Sequence, residues 1–256
     1  MTSPNKPTFD ASKFTAPEAK PLPVILLLDV SGSMSGEKIR NLNEAVRDML
    51  EVFGGTENSE TEIHVAIITF GAELKLHQAL ASAGDIQWHD LSASGGTPLG
   101  TALKMAKAMM EDKEVVKSRA YRPNVVLVSD GQPTDDWENP LQAFIKEGRS
   151  AKCDRMAMAI GADADEEVLG KFLEGTENRL FYAENAKQLQ NFFKFVTMST
   201  MIRSKSTTPD VAPDSSTIDA KPTTIEARTE KLKSATEHSS AETGENELPT
   251  EKGFQW

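Results

Sequence analysis

The chain has 256 residues, of which 38% are hydrophobic, and carries a formal net charge of -11 with a pI of about 5.0. That length and apolar content suit one well-filled core, while the acidic excess repels phosphate backbones and argues against nucleic acid as a general partner. The single cysteine, Cys153, excludes an intramolecular disulfide and any cysteine-cluster zinc site.

Met1 to Lys20 is polar, contains Pro4, Pro7 and Pro17, and lacks the apolar stretch of a secretion signal. We expect a disordered lead-in over 1–20, a folded domain over 21–203, and a disordered Ser/Thr/Glu-rich tail over 204–256, too poor in large apolar residues to repay its ordering. Pro23 to Asp29 is almost continuously apolar, the pattern of a strand buried on both faces of a parallel sheet. Its run Val24 to Leu28 is too short to enter a membrane as a span.

This strand leads into Asp29-Val30-Ser31-Gly32-Ser33, which presents a carboxylate and hydroxyls at alternate positions. Such hard oxygen donors suit Mg²⁺ rather than zinc or copper. A helix follows, with an apolar stripe at Ile39, Leu42, Ala45, Val46, Met49, Leu50 and Phe53, stopped by Gly54-Gly55. Glu62 to Phe70 is a second buried strand. After Gly71, the alternation Glu73-Leu74-Lys75-Leu76-His77 predicts a half-exposed, antiparallel edge strand, and an irregular segment follows around Gly84 to Ser94.

Gly95-Gly96-Thr97-Pro98 opens a helix that turns Leu103, Ala106, Met109 and Met110 inward; no Gly-Lys-Ser/Thr follows, which argues against a nucleotide phosphate loop. Asn124 to Ser129 is a strand ending at Asp130-Gly131. Thr134-Asp135-Asp136 reads as a helix cap, with the alternative that it rims a partner surface together with Trp137. Helix Trp137 to Lys146, strand Met156 to Ile160, helix Asp165 to Leu173 (capped by Asp163 or Asp165), strand Leu180 to Tyr182 and helix Ala186 to Ile202 complete the domain. Cys153 opens an apolar run and reads as a buried structural thiol. His64, His77, His89 and His238 have no metal-binding spacing, and Met105, Met109 and Met110 read as core.

Strands alternating with helices predict an α/β domain: a Rossmann-like, doubly wound, mostly parallel sheet of about six strands, with one antiparallel edge strand and helices on both faces. Ligands in such sheets bind at the carboxyl ends of the strands. Asp29 and Asp130 fall there, and Thr97 lies at a helix start beside that edge. Asp29, Ser31, Ser33, Thr97 and Asp130 are therefore the candidate metal ligands, the hydroxyls binding directly and the carboxylates directly or through water. A cation held largely by neutral hydroxyls stays electrophilic and accepts one more anionic oxygen, the Asp or Glu of a partner protein. The alternative is a Mg²⁺-dependent phosphatase with Asp29 as nucleophile. Such enzymes need a second acid two residues on, where this chain has Ser31, and no lysine obviously completes the set.

Asp29-x-Ser31-x-Ser33, Thr97 after Gly95-Gly96, and Ser129-Asp130-Gly131 resemble the metal-ion-dependent adhesion site of von Willebrand factor type A domains. Within that superfamily, Leu27 to Met34, Ile68 to Gly71, Leu91 to Thr97, Asp130 to Trp137 and Gly161 to Asp165 resemble the bacterial tellurium-resistance TerY family. The resemblance implies a cytoplasmic, non-enzymatic interaction module holding Mg²⁺ (or Mn²⁺ or Ca²⁺) in tellurite-resistance or related stress responses. It also implies a protein kinase and a phosphatase as partners, with neither nucleic acid nor membrane insertion. Some relatives carry a Cys-rich module after this domain; the tail here has no cysteine. It has instead Thr207-Thr208-Pro209 and Thr223-Thr224, where each phosphate would add roughly -1.5 to -2 charge.

Overall fold

The computed structural model describes residues 19–55 and 61–211, which form one compact unit. Most of the expected lead-in, with Phe9 and Phe14, lies outside the described residues. So does the tail beyond 211, with Thr223-Thr224, Ile225 to Leu232, His238, Phe254 and Trp256.

The centre of the sheet is β1 (Lys20–Asp29), buried along almost its whole length. It pairs in parallel with β2 (Thr61–Phe70) on one side and with β4 (Asn124–Ser129) on the other. It begins three residues earlier than the apolar run from Pro23 predicts, and it holds two prolines, Pro21 and Pro23. They are tolerated because β4 joins only from Val24 onward, and Pro21 O there accepts from the N–H of Tyr121 instead. Two prolines thus sit where their missing N–H groups have no strand to face.

Beyond β2 lies β3 (Leu74–Ser82), antiparallel and half-exposed, and beyond β4 lie β5 (Asp154–Ile160) and β6 (Phe181–Ala183). The order is β3-β2-β1-β4-β5-β6, with β2–β3 the antiparallel pair among parallel ones. The expected six-stranded sheet with an antiparallel edge is what forms; the edge strand runs longer than its polar–apolar alternation shows.

Alternation across β1 divides the core in two. Ile25, Leu27, Ala66, Ile68, Phe70, Val125 and Leu127 face α2 (Leu99–Glu111), α3 (Glu138–Lys146) and α4 (Glu166–Phe172) in one apolar cluster. Val24, Leu26 and Leu28, equally buried, point to the opposite face. There α1 (Glu37–Gly54) packs against α5 (Ala186–Lys205). The α1 stripe is buried as its spacing predicts. Met109 and Met110 are core, and Asp165 is the cap of α4, accepting from Val168 N.

The expected domain end after Arg203 falls inside α5, and the boundary moves outward. Arg203 is wholly buried at the base of the sheet, where its guanidinium donates to the carbonyls of Pro209 and Arg122. Asp210 accepts from Arg122 N. The chain therefore stays in contact with the domain as far as Asp210, and of the Thr207-Thr208-Pro209 run only Pro209 is buried. Among the described residues no helix is long and apolar enough to cross a membrane.

The chain leaves β1 through α1 to β2 on one side, and returns through α2 to β4 on the other. Strand order therefore reverses between β1 and β4, and the crevice at their carboxyl ends is where α/β sheets bind ligands.

Candidate metal centre

Asp29 closes β1 and is fully buried. Its Oδ1 accepts from the N–H of Ser31 at 2.8 Å, a local turn that a short carboxylate side chain favours. Its Oδ2 accepts from Ser129 Oγ at 2.6 Å, across from the end of β4. A short 3-10 turn, Gly32–Met34, then lifts Ser33 to the surface while Met34 plugs into the core. Ser31 Oγ lies 2.9 Å from Ser33 Oγ, and Ser33 Oγ donates to Asp130 Oδ1 at 2.7 Å.

Thr97 arrives from the loop before α2. Its N–H donates to Thr134 Oγ1 at 3.0 Å, and its carbonyl accepts from Thr134 N at 2.9 Å. Thr97 Oγ1 and Ser33 Oγ flank Gly131: a β-carbon added there would stand 3.4 and 3.7 Å from them. All the residues singled out from sequence thus converge on the carboxyl ends of β1 and β4.

Backbone hydrogen bonds lock the loops together. Ser94 N donates to Val30 O at 2.7 Å, Gly32 N to Gly95 O at 2.9 Å, and Ala72 N to Ser94 O at 2.7 Å. Gly95 has φ +79°, and a β-carbon there would lie 2.3 Å from Ala72 Cα, so only glycine fits. Asn43, buried on α1, grips the same loop further back, accepting from Leu91 N at 2.7 Å and donating to Leu91 O at 3.0 Å. Nothing in the apolar stripe of α1 distinguishes Asn43; its partner is 48 residues away.

Thr134-Asp135-Asp136 does cap a helix, but the helix is α2 rather than the α3 that follows. Asp135 accepts from Gly100 N, Thr101 N and Thr101 Oγ1 at 2.7–2.9 Å. Trp137 packs partly buried against the core, with the Lys171 ammonium over its ring.

Lys38 was not legible as a site residue. From the first turn of α1 its Nζ reaches Asp130 Oδ2 at 2.5 Å, and the Asp130 side chain is fully buried. Burial also raises the Asp29 carboxyl above its usual range, against the donors from Ser129 and Ser31, with the neighbouring Asp130 adding to the rise. Of these two neighbouring buried carboxylates, Asp130 is paired with the Lys38 ammonium and Asp29 with neutral donors.

The donor set fits a hard divalent ion. Adjacent ligands on an octahedral ion with bonds of about 2.1 Å stand roughly 3 Å apart. The hydroxyl and carboxylate oxygens of Ser31, Ser33 and Asp130 already have such spacings, at 2.9 and 2.7 Å. Among the described residues no cluster of three or more His, Cys, Asp and Glu side chains gathers that could hold a metal ion, so an ion at this site would rely on the hydroxyls beside its two carboxylates. His77 Nε2 donates to His89 O and packs at a tilt against Trp88, and Cys153 is a free, buried thiol pushed up to about 11.

A family model of the von Willebrand factor type A domain matches residues 24–195. Inter-alpha-trypsin inhibitor heavy chain H4 of Sus scrofa is 28% identical over 201 residues, covering 72% of this chain and 21% of that protein. Heavy chain H2 of Homo sapiens is 27% identical over 204 residues, covering 72% and 21%. The chain therefore spans about a fifth of the length of these relatives. Among solved structures, a von Willebrand factor type A protein from Catenulispora acidiphila superposes with a TM-score of 0.53 at 19% identity, over 72% of this chain and 43% of that one. The pilus adhesin SpaC of Lactobacillus rhamnosus GG, in its open conformation, superposes with a TM-score of 0.57 at 17% identity, over 70% and 30%.

Proposed function

The chain belongs to the von Willebrand factor type A domain family, and from that premise we propose that it is a metal-ion-dependent protein-interaction module. Asp29, Ser31, Ser33, Thr97 and Asp130 would hold one divalent cation, Mg²⁺ by the hardness of the donors, with Mn²⁺ or Ca²⁺ as substitutes. The ion supplies an electrophilic position for a carboxylate of a partner protein. The observation that carries this reading is the convergence of Ser31, Ser33 and Asp130 oxygens at ligand spacing, beside a second buried carboxylate, at the strand-order reversal.

Each residue has its own part. Asp29 spends both oxygens on Ser31 N and Ser129 Oγ, which suits holding the ion's waters rather than attacking a phosphate. Ser33, exposed at the rim, is the hydroxyl nearest a partner. Thr97 is set by Thr134, so its hydroxyl remains turned toward Gly131. The set does contain a lysine, Lys38, but it neutralises Asp130, and the position two residues after Asp29 is still a serine. These arrangements support binding over turnover.

The finer assignment, a cytoplasmic TerY-type role in tellurium resistance or stress response alongside a kinase and a phosphatase, rests on the sequence strings Leu27 to Met34, Leu91 to Thr97 and Asp130 to Trp137. A single buried cysteine agrees with a reducing compartment. Affinity capture with the full chain tests the module itself. Partners should be retained in Mg²⁺, released by EDTA, and lost with Asp29→Ala. Equal capture in EDTA and by Asp29→Ala would overturn the metal-bridged mechanism.

A further inference from the structure

Lys38 sits where a metal-binding loop has least use for a positive charge. Its Nζ contacts Asp130 Oδ2 while Asp130 Oδ1 takes the Ser33 hydroxyl, so one of the two oxygens of this buried carboxylate is committed to an ammonium. The contact is not a loose surface pair. The lysine side chain is only 33% exposed, and its tip lies against Gly161, where an added β-carbon would come within 3.4 Å of Nζ. Gly161 takes φ +78° and donates its N–H to Ala183 O, which fixes that wall at the end of β6.

We propose that Lys38 is a built-in competitor for Asp130 that holds down the affinity of the site for a divalent cation, so that the ion is retained firmly only when a partner carboxylate completes it. This rests on the metal-binding reading above. In the metal-free chain the ammonium compensates Asp130 beside Asp29. When the ion enters, the two carboxylates cancel its charge and Lys38 leaves one positive charge over. A like charge a few ångströms from the ion weakens its binding, and the same excess draws in an anionic partner group. Lys38 thus couples metal retention to partner binding, because anything anionic that docks relieves its repulsion.

The test uses the full chain with Mn²⁺ as the probe, reading free Mn²⁺ by electron paramagnetic resonance and thermal stability in parallel. Lys38→Met should bind Mn²⁺ about tenfold more tightly than wild type. In EDTA it should melt lower, because Asp130 is left buried without its cation, and saturating Mn²⁺ should close that gap. Lys38→Arg keeps the charge and should behave as wild type in Mn²⁺ affinity. Equal or weaker Mn²⁺ binding by Lys38→Met overturns the competitor role while leaving the metal site standing. Absence of Mn²⁺ binding in wild type and in every variant overturns the metal reading, and this proposal with it.

Discussion

Ser129 Oγ donates to Asp29 Oδ2 over 2.6 Å, tying the last residue of β4 to the last residue of β1 at the point where the strand order reverses. Both residues are buried, so Ser129→Ala leaves a carboxylate oxygen without its donor. The expected cost is about 1–3 kcal/mol, read as a lower urea midpoint of the full chain in EDTA with an unchanged slope.

Asp29 gives the metal-free domain a defined pH dependence. Its folded pKa is raised by burial, with Asp130 contributing. A carboxyl raised in the folded state contributes stability that is fully present below its unfolded pKa and is lost as pH rises through the folded one. Asp29→Asn should therefore raise the melting temperature at pH 7 in EDTA, and this advantage should shrink as pH falls into the acid range. Mg²⁺ should stabilise wild type and leave the variant unmoved. Asp154 is raised by burial as well, against Arg203, but it titrates in both proteins and drops out of their difference.

Gly95 tests the loop that delivers Thr97. Its φ of +79° and the 2.3 Å approach of an added β-carbon to Ala72 Cα leave no room for alanine. Gly95→Ala should push the loop away from Gly32 and Ala72, destabilise the chain by more than the roughly 1 kcal/mol of left-handed backbone strain alone, and weaken Mg²⁺ binding. Calorimetric titration beside a urea curve separates the two effects.

Asp135 is the cap of a helix distant in sequence. Asp135→Ala removes acceptors from Gly100 N and Thr101 N and should cost about 0.5–2 kcal/mol by the usual worth of a cap. Asp136→Ala, at an exposed neighbour, should leave the urea midpoint within experimental scatter.

Much of this architecture was written in periodicity. Burial on both faces marked β1, β2 and β4, the 3.6-residue stripe marked α1, and oxygens at strand ends marked the site, because each of these signals is local. What was missed depends on contacts between distant segments. Lys38 looks like any first-turn lysine until Asp130, 92 residues on, comes to meet it. Asn43 looks like an ordinary helix polar residue until Leu91 arrives, and Asp135 looks like a cap for the helix after it. The end of the domain was set too early for the same reason, since Arg203 finds its acceptors at Arg122 and Pro209.

The most direct measurement is calorimetric titration of Mg²⁺ into the metal-free full chain and into Ser33→Ala, an exposed position whose loss spares the core. One ion bound per wild-type chain is expected, with binding weakened at least about tenfold in Ser33→Ala and both proteins still folded in EDTA at the temperature of the titration. A wild-type chain that takes up no Mg²⁺, or a Ser33→Ala chain that binds it equally well, would contradict the assignment of this site.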